Sequence, residues 1–195
     1  ANHSNPVSLF LLQYFPMFGG DDARFVELVG MLDGDFKHLE LYKMAVERVE
    51  NAANTAIGAE LKDLQLPDAE GNIISVAELC KSGKWVLVDF WAAWCPDCRK
   101  ENPNIVAAWE KYKDKNFAVL GVSLDRKRDQ WLAAIEKDNL TWTQVSDLKY
   151  WDSEAAVLYC IRWIPMSFLI DPEGKIVAIG LEGEELHNKL EELLK

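Results

Sequence analysis

Residues 84–104 read KWVLVDFWAAWCPDCRKENPN and decide the fold of this chain. The run Trp85–Trp91 is apolar except for Asp89, which predicts a strand buried on both faces, because a half-exposed strand would alternate with polar residues. Cys95 and Cys98 follow at once, and helix-compatible sequence comes after them. The segment therefore predicts a central strand, a short loop and a helix that begins at a pair of cysteines.

The position of Cys95 at the start of a helix favours a thiolate. Free backbone N–H groups and the positive end of the helix dipole lower the pKa of a thiol from its ordinary value of about 8.5. A thiolate is the form that attacks disulfides, and Cys98 lies one helical turn further on. Cys98 can therefore close a disulfide with Cys95 or resolve a mixed disulfide formed there. We interpret Cys95 as the nucleophile and Cys98 as the resolving thiol.

Two other interpretations of the pair are half of a zinc site and ordinary small core residues. Zinc would need a second pair of ligands at similar spacing, but His3, His38 and His187 are scattered singly, so no metal site is predicted. The strand before the motif and the helix after it favour redox chemistry. Cys80 and Cys160 lie among apolar neighbours and are predicted to be buried small residues, with a structural or regulatory pairing left open.

Asp89 is a lone carboxylate in an apolar strand. Burial raises the pKa of a carboxyl group towards the range useful for proton transfer, which makes Asp89 a candidate general base. An Asp satisfied by backbone donors at a strand end is the alternative, but Val88 and Phe90 leave no turn there. Glu101 is interpreted as helix surface or dipole compensation rather than as an acid catalyst.

Charges beside Cys95 act in opposite directions. Asp97 opposes formation of a second negative charge, whereas Arg99 favours it. We hypothesise that Cys95 is less acidic than the thiol of a strong oxidant, so that the pair has a reducing role.

Aromatic residues are expected to form an apolar rim at the dithiol. Trp91, Trp94 and Trp163 are predicted to flank it and to offer a platform to an extended client, although one of them can belong to the core. The candidate substrate-binding residues are Trp94, Pro96, Asp97, Trp163 and Ile164.

Composition places the chain among soluble globular proteins. Its 195 residues are 49% hydrophobic and 27% charged, and the formal net charge of −11 argues against nucleic acid or anionic membrane as a partner. Four cysteines are too few for a disulfide-stapled scaffold.

The apolar run at 9–18 is short and contains Gln13 and Pro16, so it predicts neither a signal peptide nor a membrane span. Because the chain begins at Ala1 rather than Met, we expect a leader or anchor to have been removed.

Two patterns divide the chain at about residue 58. Helices are predicted before it at 6–15, at 21–32 with Asp21 as N-cap, and at 35–56, which together form a small helical subdomain. The predicted elements after it are a β-hairpin (59–66 and 73–74, around an acidic turn), a helix (76–80), the central strand and its helix, a strand (117–124), a helix (128–137), a strand (142–145), a helix (153–159), two strands around the turn DPEG and a last helix (182–195). Alternating strands and helices predict an α/β fold with parallel pairing, and Cys95 at the carboxyl end of a strand.

The sequence VLVDFWAAWCPDCR resembles the active-site segment of the thioredoxin superfamily. More narrowly, WAAWC followed by RKENP, then LGVSLD and IPMSFLIDPEGKI, resemble the extracytoplasmic thiol-disulfide oxidoreductases of the TlpA and ResA type, which are related to AhpC/TSA. The resemblance covers residues 58–195, the expected thioredoxin-like domain. Residues 1–57 resemble the end of an N-terminal region that precedes this domain in many Bacteroidetes members, so they are expected to be the remnant of a larger region.

The resemblance implies a thioredoxin-like three-layer fold with a central mixed sheet, an N-terminal β-hairpin and an additional N-terminal helical segment. It implies that Pro165 is cis and faces the dithiol, which leaves the preceding backbone free to pair with an extended substrate. It also implies that Asp89 deprotonates Cys98 through water as the mixed disulfide breaks down.

The implied activity is reduction of protein disulfides, or less favourably their oxidation or isomerisation, without a dissociable cofactor. The implied partners are protein disulfide clients and a redox donor that can be membrane-embedded. The implied location is periplasmic or otherwise extracytoplasmic, with a possible membrane anchor in the full-length protein.

The motif fits two further function classes less well, a thiol peroxidase and a non-enzymatic metal chaperone or binding module. Peroxiredoxins share this architecture, but their catalytic Cys follows a Pro-x-x-x-Thr-x-x pattern, and FWAAW precedes Cys95 here without Thr. Copper-delivering relatives place three residues between their cysteines and add a later His, whereas this chain has two intervening residues and no His between His38 and His187. A non-enzymatic binding module would not need an acid at Asp89.

Overall fold

A computed structural model of the chain describes residues 6–12, 22–32, 34–80 and 83–194. The chain forms two compact units, Ala1–Asn54 and Thr55–Lys195. Within the described ranges, no helix combines the length and the apolar character that crossing a membrane requires.

The first unit is helical. It contains α1 (Pro6–Leu12), α2 (Asp22–Gly30), a 3-10 turn (Gly34–Phe36) and α3 (Glu40–Asn54). Its small core comprises Leu12, Phe25, Val29 and Ala45. Three helices are therefore confirmed, but the third begins at Glu40 rather than near residue 35, because residues 34–39 close separate i to i+3 turns. The predicted N-cap Asp21 lies outside the described residues.

The second unit begins with a β-hairpin, as predicted. β1 (Gln65–Pro67) pairs antiparallel with β2 (Ile73–Ser75), and α4 (Val76–Cys80) follows. The carboxylate of Asp68 accepts hydrogen bonds from the backbone N–H groups of Glu70 and Asn72, at 2.9 and 2.8 Å, and so shapes the acidic turn. The first strand is shorter than predicted, because the chain before it pairs elsewhere.

The central sheet has five strands in the order β5-β4-β3-β6-β7. They are β3 (Trp85–Trp91), β4 (Phe117–Ser123), β5 (Thr143–Val145), β6 (Met166–Ile170) and β7 (Ile176–Ile179). Strands β3, β4 and β5 are parallel, whereas β6 runs antiparallel to β3 and β7 antiparallel to β6. The mixed sheet and the central position of β3 are both confirmed.

Helices cover both faces of this sheet. They are α5 (Pro96–Tyr112), α6 (Arg128–Asp138), α7 (Glu154–Leu158) and α8 (Gly183–Leu193). Side chains of β3 alternate between two hydrophobic clusters. Val86, Val88 and Phe90 join the cluster that includes α7, whereas Leu87 and Trp91 join the cluster that includes α5 and α8. The strand lacks polar alternation because both of its faces are buried, as predicted.

Chain segments from the start of the second unit cover both edges of the sheet. At the β7 edge, the N–H of Gly58 donates to the carbonyl of Ile176 at 2.7 Å, and the N–H of Ile176 donates to the carbonyl of Ala59 at 2.9 Å. At the β5 edge, the N–H of Ser146 donates to the carbonyl of Pro67 at 3.0 Å. The hairpin and the segment before it therefore occupy positions where further strands could otherwise pair.

Candidate active site

The dithiol lies in the loop between β3 and α5. Cys95 is the N-cap of α5, Pro96 occupies the first turn, and the N–H of Cys98 donates to the Sγ of Cys95 at 3.1 Å. Proline suits this position because its missing N–H has no partner to lose there. Cys95 and Cys98 form a disulfide, with their Cα atoms 5.3 Å apart. The predicted helix start and the reach of Cys98 are confirmed.

The Cys95 sulfur is less exposed than the sequence suggests. Only 4% of Cys95 and 1% of Cys98 are exposed, and both belong to the cluster under α5 and α8. The side chains on either side of Cys95 in the chain, Trp94 and Pro96, are exposed. A disulfide partner must therefore approach Cys95 beside the exposed Trp94 and Pro96, and Cys98 is the more enclosed thiol.

The strand β6 brings a second segment to the dithiol. It is antiparallel to β3, so its start meets the end of β3, with Met166 opposite Phe90. The residues just before it therefore lie beside the loop, and the carbonyl oxygen of Ile164 is 3.7 Å from the Sγ of Cys95. The Ile164–Pro165 bond is cis, as the resemblance implies. Trp163 is 55% exposed.

Asp89 is buried on the same side of the sheet as the dithiol. It lies on β3 between Leu87 and Trp91, which both pack in the cluster that contains Cys95 and Cys98. Burial, together with the smaller effect of the negative charges of Glu101 and Glu182, raises the pKa of Asp89 to about 8. The alternative of a carboxylate satisfied by backbone donors is not favoured, because no hydrogen bond is among the causes of this shift.

Glu101 caps a helix other than its own. Its Oε1 accepts a hydrogen bond from the N–H of Gly183 at 2.8 Å, at the start of α8, and its Oε2 accepts one from Asn104 at 3.0 Å. A carboxylate there satisfies an N–H that the helix leaves free and complements the dipole of α8. The expected dipole compensation is therefore present, but it crosses between two helices.

Arg99 does not act freely on Cys95, and this corrects the sequence-based expectation. Its guanidinium pairs with the carboxylate of Asp138, through Nε and through a second nitrogen at 2.7 Å. It also donates to the carbonyl of Ala93 at 3.2 Å. The Nδ2 of Asn102 donates to the same Asp138 at 2.6 Å. Because Asp138 neutralises the charge locally, the main effect of Arg99 is to join α5, α6 and the dithiol loop.

Asp97 has a cationic neighbour of its own. Lys100 pairs with it at 2.7 Å, and both side chains are more than 70% exposed. Exposed ion pairs of this kind contribute little to stability, and water screens both charges. The influence of Asp97 on Cys95 is therefore weaker than its position in the motif suggests.

Asp125 holds the loop from the end of β4, a role that the sequence did not reveal. Its Oδ2 accepts hydrogen bonds from the N–H of Ala93 at 2.9 Å and from the hydroxyl of Ser123 at 2.8 Å. Burial raises the pKa of this carboxyl group. The rule that functional residues gather at the carboxyl ends of parallel strands could have found it, since β3 and β4 both end here.

The three tryptophans have different environments. Trp91 is fully buried, so it is the one of the three that belongs to the core. Its Nε1 donates to the Oε1 of Gln144 at 3.0 Å, and Gln144 can lie there because Gly121 carries no Cβ. Trp94 is 40% exposed and donates to the carbonyl of Leu124 at 3.2 Å. Trp94 and Trp163 alone remain as rim residues.

The two other cysteines lie away from this loop in sequence. Cys80 is buried, as predicted, and burial raises its pKa to about 12. Cys160 is only half-buried, so its predicted burial is wrong in degree. Within the ranges that the structure describes, no group of three or more His, Cys, Asp or Glu residues could hold a metal ion.

Comparison with known proteins identifies the family. A model of the AhpC/TSA family matches residues 57–179. The chain belongs to the AhpC/TSA family. Among curated members, the thiol-disulfide oxidoreductase ResA of Bacillus thuringiensis subsp. konkukian is 30% identical over 139 residues, which cover 71% of this chain and 77% of that protein.

Solved structures of Bacteroides proteins resemble this AhpC/TSA-family chain in fold. The thioredoxin domain of a thiol-disulfide oxidoreductase from Bacteroides vulgatus is 41% identical, with a TM-score of 0.66, over 72% of this chain and 99% of that one. A thiol-disulfide oxidoreductase from Bacteroides fragilis is 39% identical, with a TM-score of 0.65, over 69% and 99%. The resemblance to the TlpA and ResA type and the thioredoxin-like fold are confirmed.

Proposed function

We propose that this chain reduces protein disulfides by two successive thiol-disulfide exchanges at Cys95 and Cys98. One observation carries the proposal: the two cysteines are joined at the N-terminus of α5, where the N–H of Cys98 donates to the Cys95 sulfur. The same N–H can stabilise a thiolate on Cys95 after reduction, because it is aligned with the positive end of the helix dipole. The family membership and the names of the relatives support the same chemistry.

The reaction begins with the reduced dithiol. The Cys95 thiolate attacks one sulfur of the client disulfide, so that a mixed disulfide forms and the first client thiolate leaves. Cys98 then loses its proton, and its thiolate attacks the Cys95 sulfur. This step releases the second client thiolate and closes the Cys95–Cys98 disulfide. Two electrons pass from the dithiol to the client, and the cycle needs no dissociable cofactor.

Asp89 is proposed to accept the proton of Cys98 in the second step, through water. A carboxyl group with a pKa of about 8 gives and takes protons near neutral pH. Cys98 is almost completely buried, so bulk solvent has little access to its proton and a nearby base is needed. The place of Asp89 on the dithiol side of the sheet supports this role.

The client is proposed to bind beside the cis proline. The backbone of Ile164 lies next to the Cys95 sulfur and can pair with an extended client segment. Trp94 and Trp163 offer exposed apolar surface. Pro96 and Asp97 are exposed beside Cys95, where the client would also contact them. Pro165 fixes the direction of the protein's own backbone after Ile164.

The wider setting is also a proposal. A redox donor, for which the resemblance suggests a membrane-embedded protein, would return the dithiol to its reduced state. The protein is proposed to work outside the cytoplasm and to carry a membrane anchor in its full-length form. Residues 1–57 would be the helical remnant of a larger N-terminal region before the thioredoxin-like domain 58–195. The resemblance to the TlpA and ResA type supports these statements.

The reduction potential tests the direction of the reaction. We expect a value near the about −270 mV of thioredoxin and well below the about −120 mV of strongly oxidising DsbA. The reason is that Arg99 is paired with Asp138, which leaves little positive charge to stabilise a Cys95 thiolate. Equilibration with glutathione buffers, followed by quantification of the free thiols, gives the potential. A value near that of DsbA would contradict the reducing role.

Replacing Cys98 by Ala should trap clients on Cys95. Without the second thiol, the mixed disulfide cannot be resolved from within the protein, so covalent complexes should accumulate at least about tenfold over wild type. Non-reducing gels after incubation with disulfide-containing proteins measure this, and dithiothreitol should release the clients. The double variant Cys95→Ala, Cys98→Ala is the matched control. Equal trapping by the double variant would show that Cys95 is not the attacking thiol.

A further inference from the structure

Three aromatic side chains form a cluster next to the dithiol, and we call Trp94, Tyr150 and Trp151 the aromatic platform. The ring centroids of Trp94 lie 5.0 Å from Tyr150 and 6.2 Å from Trp151, and those of Tyr150 and Trp151 lie 5.9 Å apart. These separations fall within the range of favourable aromatic contacts. Trp94 directly precedes Cys95, so the platform is continuous with the redox site.

Tyr150 is held in an unusual backbone conformation. Its φ is +61°, in the left-handed region that bulky residues rarely adopt. Leu148, in the same segment, also has a positive φ, but its side chain packs against the hydrophobic core under α5. Tyr150 belongs to none of the hydrophobic clusters of the described residues. Core packing therefore does not explain why a large side chain occupies this position, and strain of this kind is concentrated at functional sites.

The segment that carries Tyr150 is fixed by side-chain hydrogen bonds. Asp147 accepts hydrogen bonds from the N–H groups of Lys149 at 3.2 Å and of Glu154 at 2.9 Å. The hydroxyl of Ser146 donates to the carbonyl of Ser123 at the end of β4, at 2.8 Å. Because the segment is tied to the sheet, the Tyr150 ring is positioned before any client arrives.

Arg126 completes the surface. Its guanidinium lies 4.3 Å from the centroid of the Tyr150 ring, a cation–π contact, and the residue is exposed. Three neighbours therefore orient Tyr150: the rings of Trp94 and Trp151 and the guanidinium of Arg126. The platform presents aromatic surface with a positive charge at its border, on a chain whose net charge is −11.

We infer that the aromatic platform binds an aromatic side chain of the client, a few residues from the client's reacting cystine. The inference rests on the proposed function and names a substrate preference of the same site. When a client sulfur is bonded to Cys95, the client residues next to that sulfur must lie beside the neighbours of Cys95, because an extended chain advances only about 3.3–3.6 Å per residue. Trp94 is the immediate neighbour, and its surface is extended by the half-buried Tyr150 and by Trp151, which is also half-buried and packs against the core. An aromatic ring is favoured over an aliphatic side chain because it adds edge-to-face contacts to the burial of area.

Paired peptides test the inference. Two cystine peptides are compared that differ only by Trp or Ala two positions from the reacting Cys, with oxidised glutathione as a small disulfide that carries no aromatic side chain. For reduced wild-type protein, kcat/KM should be about fivefold higher with the Trp peptide, a ratio consistent with one aromatic contact. In Tyr150→Asn the ratio should fall to about one, whereas Tyr150→Phe should retain it. Asn is chosen because it tolerates a positive φ and lacks the ring.

Each outcome separates the inference from the proposed function. If the rate with oxidised glutathione changes less than about twofold in Tyr150→Asn while the peptide ratio collapses, the platform selects aromatic clients. If wild type does not distinguish the two peptides, or if Tyr150→Asn keeps the full ratio, the inference is wrong while disulfide reduction stands. If wild-type protein reduces neither peptide nor oxidised glutathione, the proposed function itself fails. If Tyr150→Phe no longer distinguishes the Trp peptide from the Ala peptide, the inference is also wrong, because Phe keeps the aromatic ring.

Discussion

Replacing Cys95 by Ser is expected to abolish disulfide reduction, with a loss of at least about a thousandfold. The hydroxyl group of Ser does not ionise near neutral pH and cannot form the mixed disulfide, so the first exchange has no nucleophile. Helix α5 should remain intact, because Ser is among the preferred N-cap residues and its oxygen can accept the hydrogen bond that the Cys98 N–H now donates to sulfur. Insulin reduction with dithiothreitol as electron source measures the rate, and circular dichroism measures the fold.

Cys80→Ala is the matched control for this experiment. Cys80 is also buried, but its pKa is raised to about 12, so it carries almost no thiolate at neutral pH. Its replacement should leave the insulin assay within about twofold of wild type, at some cost in thermal stability. Residual activity above a few per cent in a folded Cys95→Ser variant would refute the exchange mechanism. Equal losses in the two variants would point to a general effect of cysteine removal.

Replacing Asp89 by Asn is expected to stabilise the protein at alkaline pH and to slow its reaction. The folded state raises the pKa of Asp89 from 3.8 to about 8, so between these values the folded protein keeps a proton that the unfolded chain has lost. The free energy of unfolding therefore falls with rising pH over this range, by up to about 1.4 kcal/mol per pH unit. Asn has no proton to lose, so the variant should gain on the order of 5 kcal/mol over wild type above pH 8 and little below pH 4.

Denaturant unfolding at pH 4, 6 and 9 measures this gain, which should grow from one pH to the next. Asp68→Asn is the control, and it should lower the free energy of unfolding at neutral pH rather than raise it. Hydrogen bonds led by the Asn72 side chain lower the pKa of Asp68, so the stabilising effect of its carboxylate is present at neutral pH and lost as the pH falls. A gain from Asp89→Asn that does not change with pH would show that the carboxyl group titrates at its ordinary pKa in the folded protein.

The same Asp89 variant should slow disulfide release. A general base contributes about a hundredfold or more to a proton transfer, and the second exchange needs the proton of Cys98 removed. Rapid-mixing measurements should therefore show a mixed disulfide that persists about a hundredfold longer in Asp89→Asn, with formation of that intermediate less affected. The wild-type release rate should rise with pH through about pH 8, and the variant should lose this dependence. Equal release rates would assign Asp89 a structural role only.

Local sequence predicted what depends on neighbours in the chain. The bounds of β3 and the start of α5 follow from an apolar run, a proline and two cysteines that lie within 14 residues of one another. The family motif predicted the cis bond before Pro165, and the apolar neighbours of Asp89 in β3 predicted its raised pKa. Each of these features is specified by a short segment.

Interactions between distant residues were not predictable in the same way. Arg99 was read as a free cation because its partner, Asp138, lies 39 residues later on another helix. The motif does not show which of the three tryptophans belongs to the core, because Gln144, which accepts a hydrogen bond from the Trp91 indole, lies 53 residues away. The charge of Arg99 and the indole donor of Trp91 are visible in the sequence, but the group that neutralises the one and accepts from the other is determined only by tertiary packing.

Coverage of both sheet edges by residues 58–68 has a consequence for the proposed reduction of protein clients. An uncovered edge would offer unpaired N–H and C=O groups to any extended polypeptide, and would invite aggregation with the very molecules that approach it. Here Pro67 accepts from Ser146 beside β5, and Ala59 pairs with Ile176 in β7. Under the proposed function, main-chain recognition of a client strand would thereby be directed to the Ile164 carbonyl, which lies next to the Cys95 sulfur.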